Sequence, residues 1–289
     1  MPAPTFDLQS HSTHSDGALS PADVVRAAVG AGVELLALSD HDTATGVSEA
    51  SAVAVASGID LVPATEMTAI YAGRQDLHVL GYLIDPLEPA LSRALEHSRS
   101  DRQARAEAMA SALTELGFEL DTESLHRRAA AGGAVGRPHL AQAVVSVGAN
   151  RERLADEGLL DPTDFLRAYL IEGRPGFRPR AAPSVEEAIE LIHGAGGLAV
   201  WAHPFWDITE PQPVLAAIDS FRAAGLDGVE AFYVTHNREQ TELLVRRCLE
   251  LGLLSTGSSD FHGPEHHSFS RFRAFDTYGL VPDLGPLAG

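Results

Sequence analysis

Residues 33–42, VELLALSDHD, contain both halves of the pattern that decides the fold. The apolar run 35–39 predicts a short buried β-strand, and the SDHD that completes the stretch places two carboxylates around one histidine. The same pairing of a strand-like run with histidine and carboxylate side chains recurs along the whole chain. The other four clusters are QSHSTHSD (9–16), Glu66 followed by His78, AHP (202–204) and SDFH (259–262).

Strand-like runs alternate with helical segments over most of the sequence, which is typical of βα units and a parallel sheet. About seven such strands close more naturally into a barrel than into an open sheet. We therefore predict an α/β fold built on a seven-stranded (β/α) barrel, with the clusters at the carboxyl ends of the strands, where barrel enzymes build active sites. The predicted strands span residues 6–9, 35–39, 61–66, 77–82, 198–202, 228–232 and 253–257.

The alternation stops between roughly residues 86 and 182, where the sequence becomes helical and rich in Ala, Glu and Arg. We predict an inserted helical subdomain over residues 97–180 that covers the substrate, within a barrel formed by residues 1–96 and 181–289. The insertion begins with a long amphipathic helix that runs to Gly117, and it closes with the Arg- and Pro-rich stretch GRPGFRPR (173–180).

The composition narrows the classes of protein. The chain has 289 residues, 45% hydrophobic and 21% charged, enough for one large core or for a core domain with a small insert. Its net charge is -19 and it contains no lysine, which excludes Schiff-base chemistry and lysine general bases. The acidic excess also argues against an extended nucleic-acid-binding surface.

The sequence predicts a cytoplasmic protein with no membrane association. Its apolar runs are far too short to cross a bilayer, and the N-terminus lacks the basic start and apolar stretch of a signal peptide. The one cysteine, Cys248, falls on the apolar stripe of a predicted helix, so we expect it to pack in the core rather than to react.

The residue types in the clusters predict metal chemistry. Imidazole and carboxylate together form a ligand set for Zn, Mn or Fe. Gln9 and His11 are two residues apart on a strand and share one face, and one acid of the SDHD motif is expected to orient His41. Glu66 lies in an apolar run, where burial of an unpaired carboxylate is costly unless it coordinates an ion. We therefore predict a multinuclear metal site. Its ions, together with a few Arg side chains, would attract an anionic substrate.

The clusters resemble the PHP (polymerase and histidinol phosphatase) family, in its stand-alone nucleotide-phosphoesterase branch. The resemblance runs from the N-terminus to about Gly263 and is carried by HSTHSDG, LALSDHDT, the spacing from Glu66 to HVLGY, GRPHLA, VWAHP and GSSDFHG. It implies a distorted seven-stranded barrel with two or three Mn, Zn or Fe ions. By position, it implies one ion on Gln9, His11, Glu66 and Asp260, a second on Glu66, His78 and His203, and a third on Asp16, His41 and His262.

The resemblance also implies an activity, that of a metal-dependent phosphoesterase. The substrate would be a small phosphorylated molecule, a nucleotide such as a nucleoside 3′,5′-bisphosphate, and a metal-activated hydroxide would hydrolyse its terminal phosphate ester. Three alternatives stay open: a 5′-3′ exonuclease on short oligonucleotides, a histidinol-phosphate-type phosphatase, and a nucleotide-binding module that has lost turnover. The residues implied in catalysis are His11, Asp16, Glu66, His203, Asp260 and His262.

One position departs from the family pattern. The family opens with His-x-His, and here the first of these histidines is Gln9. A glutamine carbonyl is a weaker donor than imidazole, so the first ion is expected to bind less tightly. His14 either supplies the missing donor or is simply a loop residue near the mouth of the site.

Four residues of the insertion are candidates for binding the substrate phosphate. Arg137 and His139 of GRPHLA are the stronger pair, although Arg137 and the proline after it also read as the start of a helix. Arg178 and Arg180 are weaker candidates, because they fit a solvated linker equally well. In the barrel, Glu230 and His236 either support the metal ligands or belong to the packing.

Overall fold

A computed structural model of the chain describes residues 4–130, 135–159 and 161–288. Its seven strands form one sheet, paired in the order of the chain. The sheet curves into a nearly closed barrel, so the predicted seven-stranded α/β barrel is confirmed. The strands are β1 Phe6–Asp7, β2 Leu35–Leu38, β3 Asp60–Tyr71, β4 Arg74–Tyr82, β5 Leu198–Trp201, β6 Gly228–Tyr233 and β7 Leu254–Ser258.

Hydrogen bonds between the first and last strand regions bring the barrel edges together. The Leu8 amide donates to the Gly257 carbonyl at 3.2 Å, and the His11 amide donates to the Phe261 carbonyl at 2.8 Å. Inside the barrel, the buried Tyr82 hydroxyl donates to the Leu8 carbonyl at 2.8 Å. These bonds continue the pairing after β1 has ended, so β1 itself is two residues shorter than predicted.

The prediction of an all-parallel sheet is wrong for one strand. β4 pairs antiparallel with both β3 and β5, whereas the other neighbouring pairs are parallel. Ala72 and Gly73 both have positive φ, 48° and 82°, which is the geometry of a tight two-residue hairpin turn and returns the chain beside β3. Gly73 adopts its positive φ without strain, because glycine has no Cβ.

The hairpin also changes the expected position of Glu66, which lies inside β3 rather than at its end. Glu66 forms a parallel backbone bridge with His41, which follows the end of β2. His78 lies opposite Thr68 on the antiparallel strand β4. The long hairpin therefore brings a histidine from β4 to the same end of the barrel as the residues that follow the parallel strands.

Helices fill the connections, and their start signals act as predicted. Ser20 caps the first helix, with its hydroxyl accepting from the Asp23 amide, and Ser184 and Glu187 form the predicted capping box. Cys248 is buried in the last helix. The helices are α1 Pro21–Gly30, α2 Val47–Ser57, α3 Pro89–Glu115, α4 Thr122–Ala130, α5 Arg137–Val145, α6 Arg151–Asp156, α7 Pro162–Phe165, α8 Val185–Gly194, α9 Pro204–Asp207, α10 Pro211–Ala223 and α11 Arg238–Leu251; short 3-10 turns span Gly148–Asn150 and Gly285–Ala288, and a π turn spans Leu166–Leu170.

The contacts divide the chain into two compact units, Met1–Glu96 with Ala182–Gly289, and His97–Ala181. The first unit contains the barrel, whose core includes the fully buried Trp201. The second unit is helical and has a core of its own around Phe118 and Phe165. Among the described residues, no helix combines the length and the apolar character needed to cross a membrane.

Candidate metal centre

The segment after β1 delivers the first site residues. Gln9 and His11 are both fully buried, and Asp16 follows on a tight turn. This turn needs Gly17, because a Cβ at that position would lie only 2.1 Å from the His11 carbonyl oxygen. The glycine thus allows the backbone to fold back against His11 and to place Asp16 beside it.

Glu66 is the centre of the arrangement, and each of its carboxylate oxygens faces two imidazoles. Oε1 lies 2.8 Å from His78 Nδ1 and 3.2 Å from His203 Nε2. Oε2 lies 3.2 Å from both His11 Nε2 and His41 Nδ1. One fully buried carboxylate therefore gathers four histidines that come from four separate parts of the sequence.

Two aspartates extend the cluster. Asp260 Oδ1 lies 3.0 Å from His11 Nε2, and its other oxygen accepts a hydrogen bond from the Tyr233 hydroxyl at 2.7 Å. Asp16 lies on the outer side, with Oδ1 at 3.3 Å from His262 Nε2 and Oδ2 at 3.6 Å from His41 Nε2. His41 thus stands between Glu66 and Asp16.

The eight histidine and acidic residues form two layers that differ in exposure. The side chains of one layer are at most 7% exposed, whereas those of the other are between 10% and 29% exposed. We call the more buried layer the floor and the less buried layer the rim. The floor consists of His11, Glu66, His203 and Asp260, and the rim consists of Asp16, His41, His78 and His262.

The three ligand sets implied by the sequence come together, with one exception. His11, Glu66 and Asp260 form one compact group, and the donor atoms of Glu66, His78 and His203 lie within 3.4 Å of one another. The third set, Asp16, His41 and His262, is joined by His11, and His41 also groups with Glu66 and His78. The assignment of these residues as ligands stays a prediction.

Gln9 is the exception, because its carbonyl oxygen is already engaged. Gln9 Oε1 accepts a hydrogen bond from the Ser258 hydroxyl at 3.2 Å, and the same hydroxyl lies 2.6 Å from Glu230 Oε1. Its Nε2 is buried without a hydrogen-bond partner among the described residues. His14 is not in any of the compact groups; its Nδ1 lies 3.0 Å from the Thr45 hydroxyl.

The donor atoms of the centre fit a bound cation. His11 Nε2, His41 Nδ1, Glu66 Oε2 and Asp260 Oδ1 are buried and make no hydrogen bond within the described parts of the chain, although they lie close together. Buried polar atoms without partners are costly, and a cation shared by imidazole nitrogens and carboxylate oxygens removes that cost. The mixed N and O donor set suits Mn, Zn or Fe.

The histidines and carboxylates of the centre shift the pKa values of one another. Burial raises the pKa of Glu66, but the neighbouring histidines outweigh it and hold this pKa well below its usual range. Burial opposes protonation of His203, yet its bond to Glu66 prevails and raises the pKa to about 9. For His41, burial prevails over the adjacent carboxylates and lowers the pKa to about 3. The carboxylates therefore remain ionised at neutral pH and attract cations.

Two floor residues have strained backbone conformations. His203 and Asp260 adopt left-handed conformations, with φ of 31° and 53°, and each such residue costs about 1–3 kcal/mol. Glu230 supports the first, because its Oε2 accepts from the His203 amide at 2.9 Å. Burial raises the pKa of Glu230 to about 8. Of its two predicted roles, support of a candidate ligand is the one observed.

Sequence reasoning missed a second support, Asp7. This buried carboxylate accepts hydrogen bonds from the Ser259 amide at 2.9 Å, the Ser259 hydroxyl at 2.6 Å and the Arg273 amide at 2.7 Å. It fixes the backbone next to Asp260. The available signal was a single aspartate between Phe6 and Leu8 in a predicted buried strand, where an acid requires partners.

The acids beside His41 hold neighbouring backbone segments. Asp40 accepts from the Ser12 amide at 2.7 Å and from the Ser12 and Ser15 hydroxyls at 2.6 Å, so it fixes the turn that carries Asp16. Asp42 accepts from the Thr68 amide at 2.8 Å. The predicted orientation of His41 by an acid of the motif stays a prediction.

The four predicted phosphate-binding residues lie in the helical unit. Arg137 begins α5, as the helix-start reading predicts, and His139 Nδ1 accepts from the Gly136 amide at 3.1 Å within the same helix start. The Arg178 guanidinium donates to the Phe177 carbonyl at 2.8 Å, and Arg180 is buried. Their contact with a substrate phosphate stays a prediction.

Comparison with known proteins assigns the class. A family profile described as PHP domain matches residues 7–170, more than half of the chain. The chain belongs to the PHP domain family. The family and enzyme class predicted from the sequence motifs, a metal-dependent phosphoric ester hydrolase, are thereby confirmed.

Individual relatives carry different names. The chain is 34% identical to a 3′,5′-nucleoside bisphosphate phosphatase of Chromobacterium violaceum, covering 90% of this chain and 87% of the relative. It is 33% identical to a 5′-3′ exoribonuclease of Haemophilus influenzae, covering 90% of both chains. A solved amidohydrolase from Chromobacterium violaceum, with bound sulfate and no metal, superposes with a TM-score of 0.77 at 31% identity, covering 98% of this chain and 93% of that one.

Proposed function

We propose that this protein hydrolyses the terminal phosphate ester of a nucleotide, of the nucleoside 3′,5′-bisphosphate class, in a metal-dependent reaction. The observation that carries the proposal is the gathering of four imidazoles around the single buried carboxylate of Glu66. A relative at 34% identity is named for this substrate class, which supports the choice of nucleotide.

Two or three divalent ions, Mn, Zn or Fe, are proposed at the centre. The floor residues would hold the more buried ions, and the rim residues Asp16, His41 and His262 would hold the outer one, close to solvent. Bound divalent ions supply an activated water nucleophile and offset the negative charge of the phosphoryl oxygens.

The residues of the chain itself position the reaction. Glu230 fixes the backbone of His203, Tyr233 orients the Asp260 carboxylate, and Asp40 fixes the turn that bears Asp16. Preorganised donors of this kind do not have to reorganise when charge develops on the phosphoryl group. The partly exposed rim is the side on which a phosphate would bind, while the buried floor is shielded from bulk water.

The helical unit is proposed to contribute phosphate contacts through Arg137 and His139, with Arg178 and Arg180 as weaker candidates. An anionic substrate needs a cation beyond the metal ions, and an arginine can bind phosphate through two parallel hydrogen bonds. If Arg137 binds a phosphate remote from the reacting one, Arg137→Ala raises KM and leaves kcat unchanged. A cytoplasmic location is part of the same proposal.

A 5′-3′ exonuclease activity on short oligonucleotides is the second candidate, favoured by the relative named as an exoribonuclease. The two activities share the attack of water on a phosphate ester next to a nucleoside. They differ in substrate size, because an exonuclease accepts the end of a strand and a phosphatase accepts a single nucleotide. The net charge of -19 favours the smaller substrate.

Three substrates separate these activities: adenosine 3′,5′-bisphosphate, a linear 5′-phosphorylated oligonucleotide and the same oligonucleotide closed into a circle. We expect phosphate release from the bisphosphate that EDTA abolishes and Mn²⁺ restores. Cleavage of the linear strand alone would assign the exonuclease activity, and cleavage of the circle would exclude an end-specific enzyme. Nucleotide binding without turnover in Mn²⁺, or turnover of histidinol phosphate alone, would replace the proposal with the corresponding alternative.

A further inference from the structure

Trp206 is an exposed aromatic side chain close to the metal centre. It lies three residues after His203, its amide donates to the His203 carbonyl at 2.8 Å, and 54% of its surface is exposed. The other tryptophan, Trp201, is fully buried. Among the described residues with large exposed hydrophobic side chains, Trp206 is aromatic and the rest are aliphatic: Val29, Val55, Leu83, Leu87, Leu249 and Val281.

Two further rings support the indole. The Trp206 ring lies 5.8 Å from the Phe269 ring and 6.5 Å from the Tyr233 ring, measured between centroids, with the Tyr233 contact edge-on. Tyr233 and Phe269 are themselves 6.1 Å apart and are buried. These three residues form what we call the aromatic platform, in which two buried rings fix an exposed third.

The aromatic platform borders both layers of the metal centre. The Tyr233 hydroxyl donates to the floor residue Asp260, and the Tyr233 ring lies 5.2 Å from the His203 ring. Phe269 lies 5.5 Å from the rim residue His262. Only the Phe269 ring therefore separates the rim residue His262 from Trp206, so a ligand with its phosphate at the rim would lie close to the indole.

We propose that Trp206 stacks on the base of the nucleotide substrate while the phosphate lies at the metal centre. Stacking suits this protein because every base offers a π-face, and such contact needs no positive charge on an acidic surface. A base held by one exposed indole is recognised by its aromatic surface rather than by hydrogen bonds, so all four bases are accepted. This inference rests on the proposed nucleotide phosphoesterase function.

Steady-state kinetics on a substrate with a nucleobase and on one without it test the proposal. The substrates are adenosine 3′,5′-bisphosphate and the corresponding abasic ribose 3,5-bisphosphate, each in Mn²⁺. We expect Trp206→Ala to raise KM for the nucleotide on the order of tenfold with kcat nearly unchanged, since stacking contributes to ground and transition states alike. The abasic substrate should be unaffected, and Trp206→Phe should restore most of the affinity.

Tryptophan fluorescence gives a second readout that does not require turnover. Because Trp201 is buried, quenching by adenosine 5′-monophosphate should come from Trp206. We expect the wild-type emission to fall on titration with this nucleotide, and we expect Trp206→Phe to lose the quenching while the nucleotide still competes in the phosphatase assay.

The outcomes separate this inference from the proposed function. Equal losses for the nucleotide and the abasic substrate, or no loss for either, would overturn base stacking while leaving the phosphoesterase function intact. Hydrolysis of the abasic substrate but of no nucleotide would instead overturn the nucleotide specificity of the proposed function. Absence of fluorescence quenching at nucleotide concentrations that inhibit the enzyme would also contradict stacking on Trp206.

Discussion

The floor and the rim of the metal centre contain the same kinds of side chain but are built differently. The floor residues are almost completely buried, Glu230 accepts a hydrogen bond from the backbone amide of His203, and Tyr233 donates one to the Asp260 carboxylate. The rim is less deeply buried, with Asp16 29% exposed on a turn that Asp40 fixes. We infer that depth sets how firmly an ion is retained, so the floor keeps its ions and the rim exchanges them.

Removal of the carboxylate at Glu66 should weaken metal binding in both layers, because each of its oxygens faces one floor histidine and one rim histidine. We expect Glu66→Gln to lower kcat/KM on the order of a thousandfold or more, since metal ions contribute several kcal/mol to transition-state stabilisation. Metal content after gel filtration, measured by mass spectrometry, should fall with the activity.

The matched control is Glu186→Gln, a change of the same type at an exposed position of α8. It should leave both metal content and activity unchanged. If Glu66→Gln kept its ions and more than about a tenth of the activity, the central position of this carboxylate would be wrong.

Asp16→Asn should separate the two layers. Because Asp16 contacts His41 and His262 on the outer side, we expect loss of the outer ion with retention of the floor ions. The fall in activity should be about 10- to 100-fold, partly recovered by high Mn²⁺. Metal content and a titration of activity with Mn²⁺ measure both effects, with the exposed Asp156→Asn as control. Loss of every ion in Asp16→Asn would show that floor and rim bind as one unit.

Gln9→His should increase the metal affinity of the floor. The Gln9 carbonyl already accepts from Ser258, so we expect a histidine nitrogen there to tighten Mn²⁺ binding by roughly tenfold, as measured by titration calorimetry. His14→Ala should leave the metal content unchanged, because His14 contacts Thr45. The reverse pattern, with no gain from Gln9→His and an ion lost in His14→Ala, would assign the missing donor to His14.

Proton release on metal binding tests the charge difference within the centre. The pKa of His203 is raised to about 9 because its bond to Glu66 outweighs its burial, and that of His11 lies well above its usual value because Asp260 and Glu66 outweigh its burial. The metal-free floor is therefore protonated at pH 7.5, and metal binding must displace these protons. The pKa of His41 is lowered to about 3, so this rim residue has no proton to release.

Mn²⁺ binding at pH 7.5 should release about two protons per chain from the floor histidines, and metal affinity should rise with pH up to about 9. The rim residue His262 adds to this release, because Asp260 and Asp16 outweigh its burial and raise its pKa. Calorimetry in buffers of different ionisation enthalpy measures the number directly. Binding that releases no protons at this pH would contradict the charge assignment of the floor histidines.

The sequence was a good guide where the signal is local. The strand-like runs, the capping box at Ser184 and the clusters at residues 9–16, 39–42 and 259–262 all depend on neighbouring residues, and the structure places them as expected. The convergence of the clusters followed from the rule that barrel strands deliver functional residues to one end.

What the sequence did not predict depends on the geometry of barrel closure and of one turn. The antiparallel β4 follows from two positive φ angles at Ala72 and Gly73, which a predicted parallel alternation does not reveal. Asp7 contacts Ser259, 252 positions away, and Gln9 contacts Ser258, 249 positions away. Pairings at that separation exist only once β1 and β7 meet.

Anomalous diffraction from crystals grown with Mn²⁺ tests the central claim most directly. If the centre binds metal as described, anomalous peaks should lie about 2.0–2.3 Å from the Glu66 oxygens, with a weaker peak beside Asp16. Crystals of enzyme with verified Mn²⁺-dependent activity that show no peak within reach of Glu66 would contradict the account.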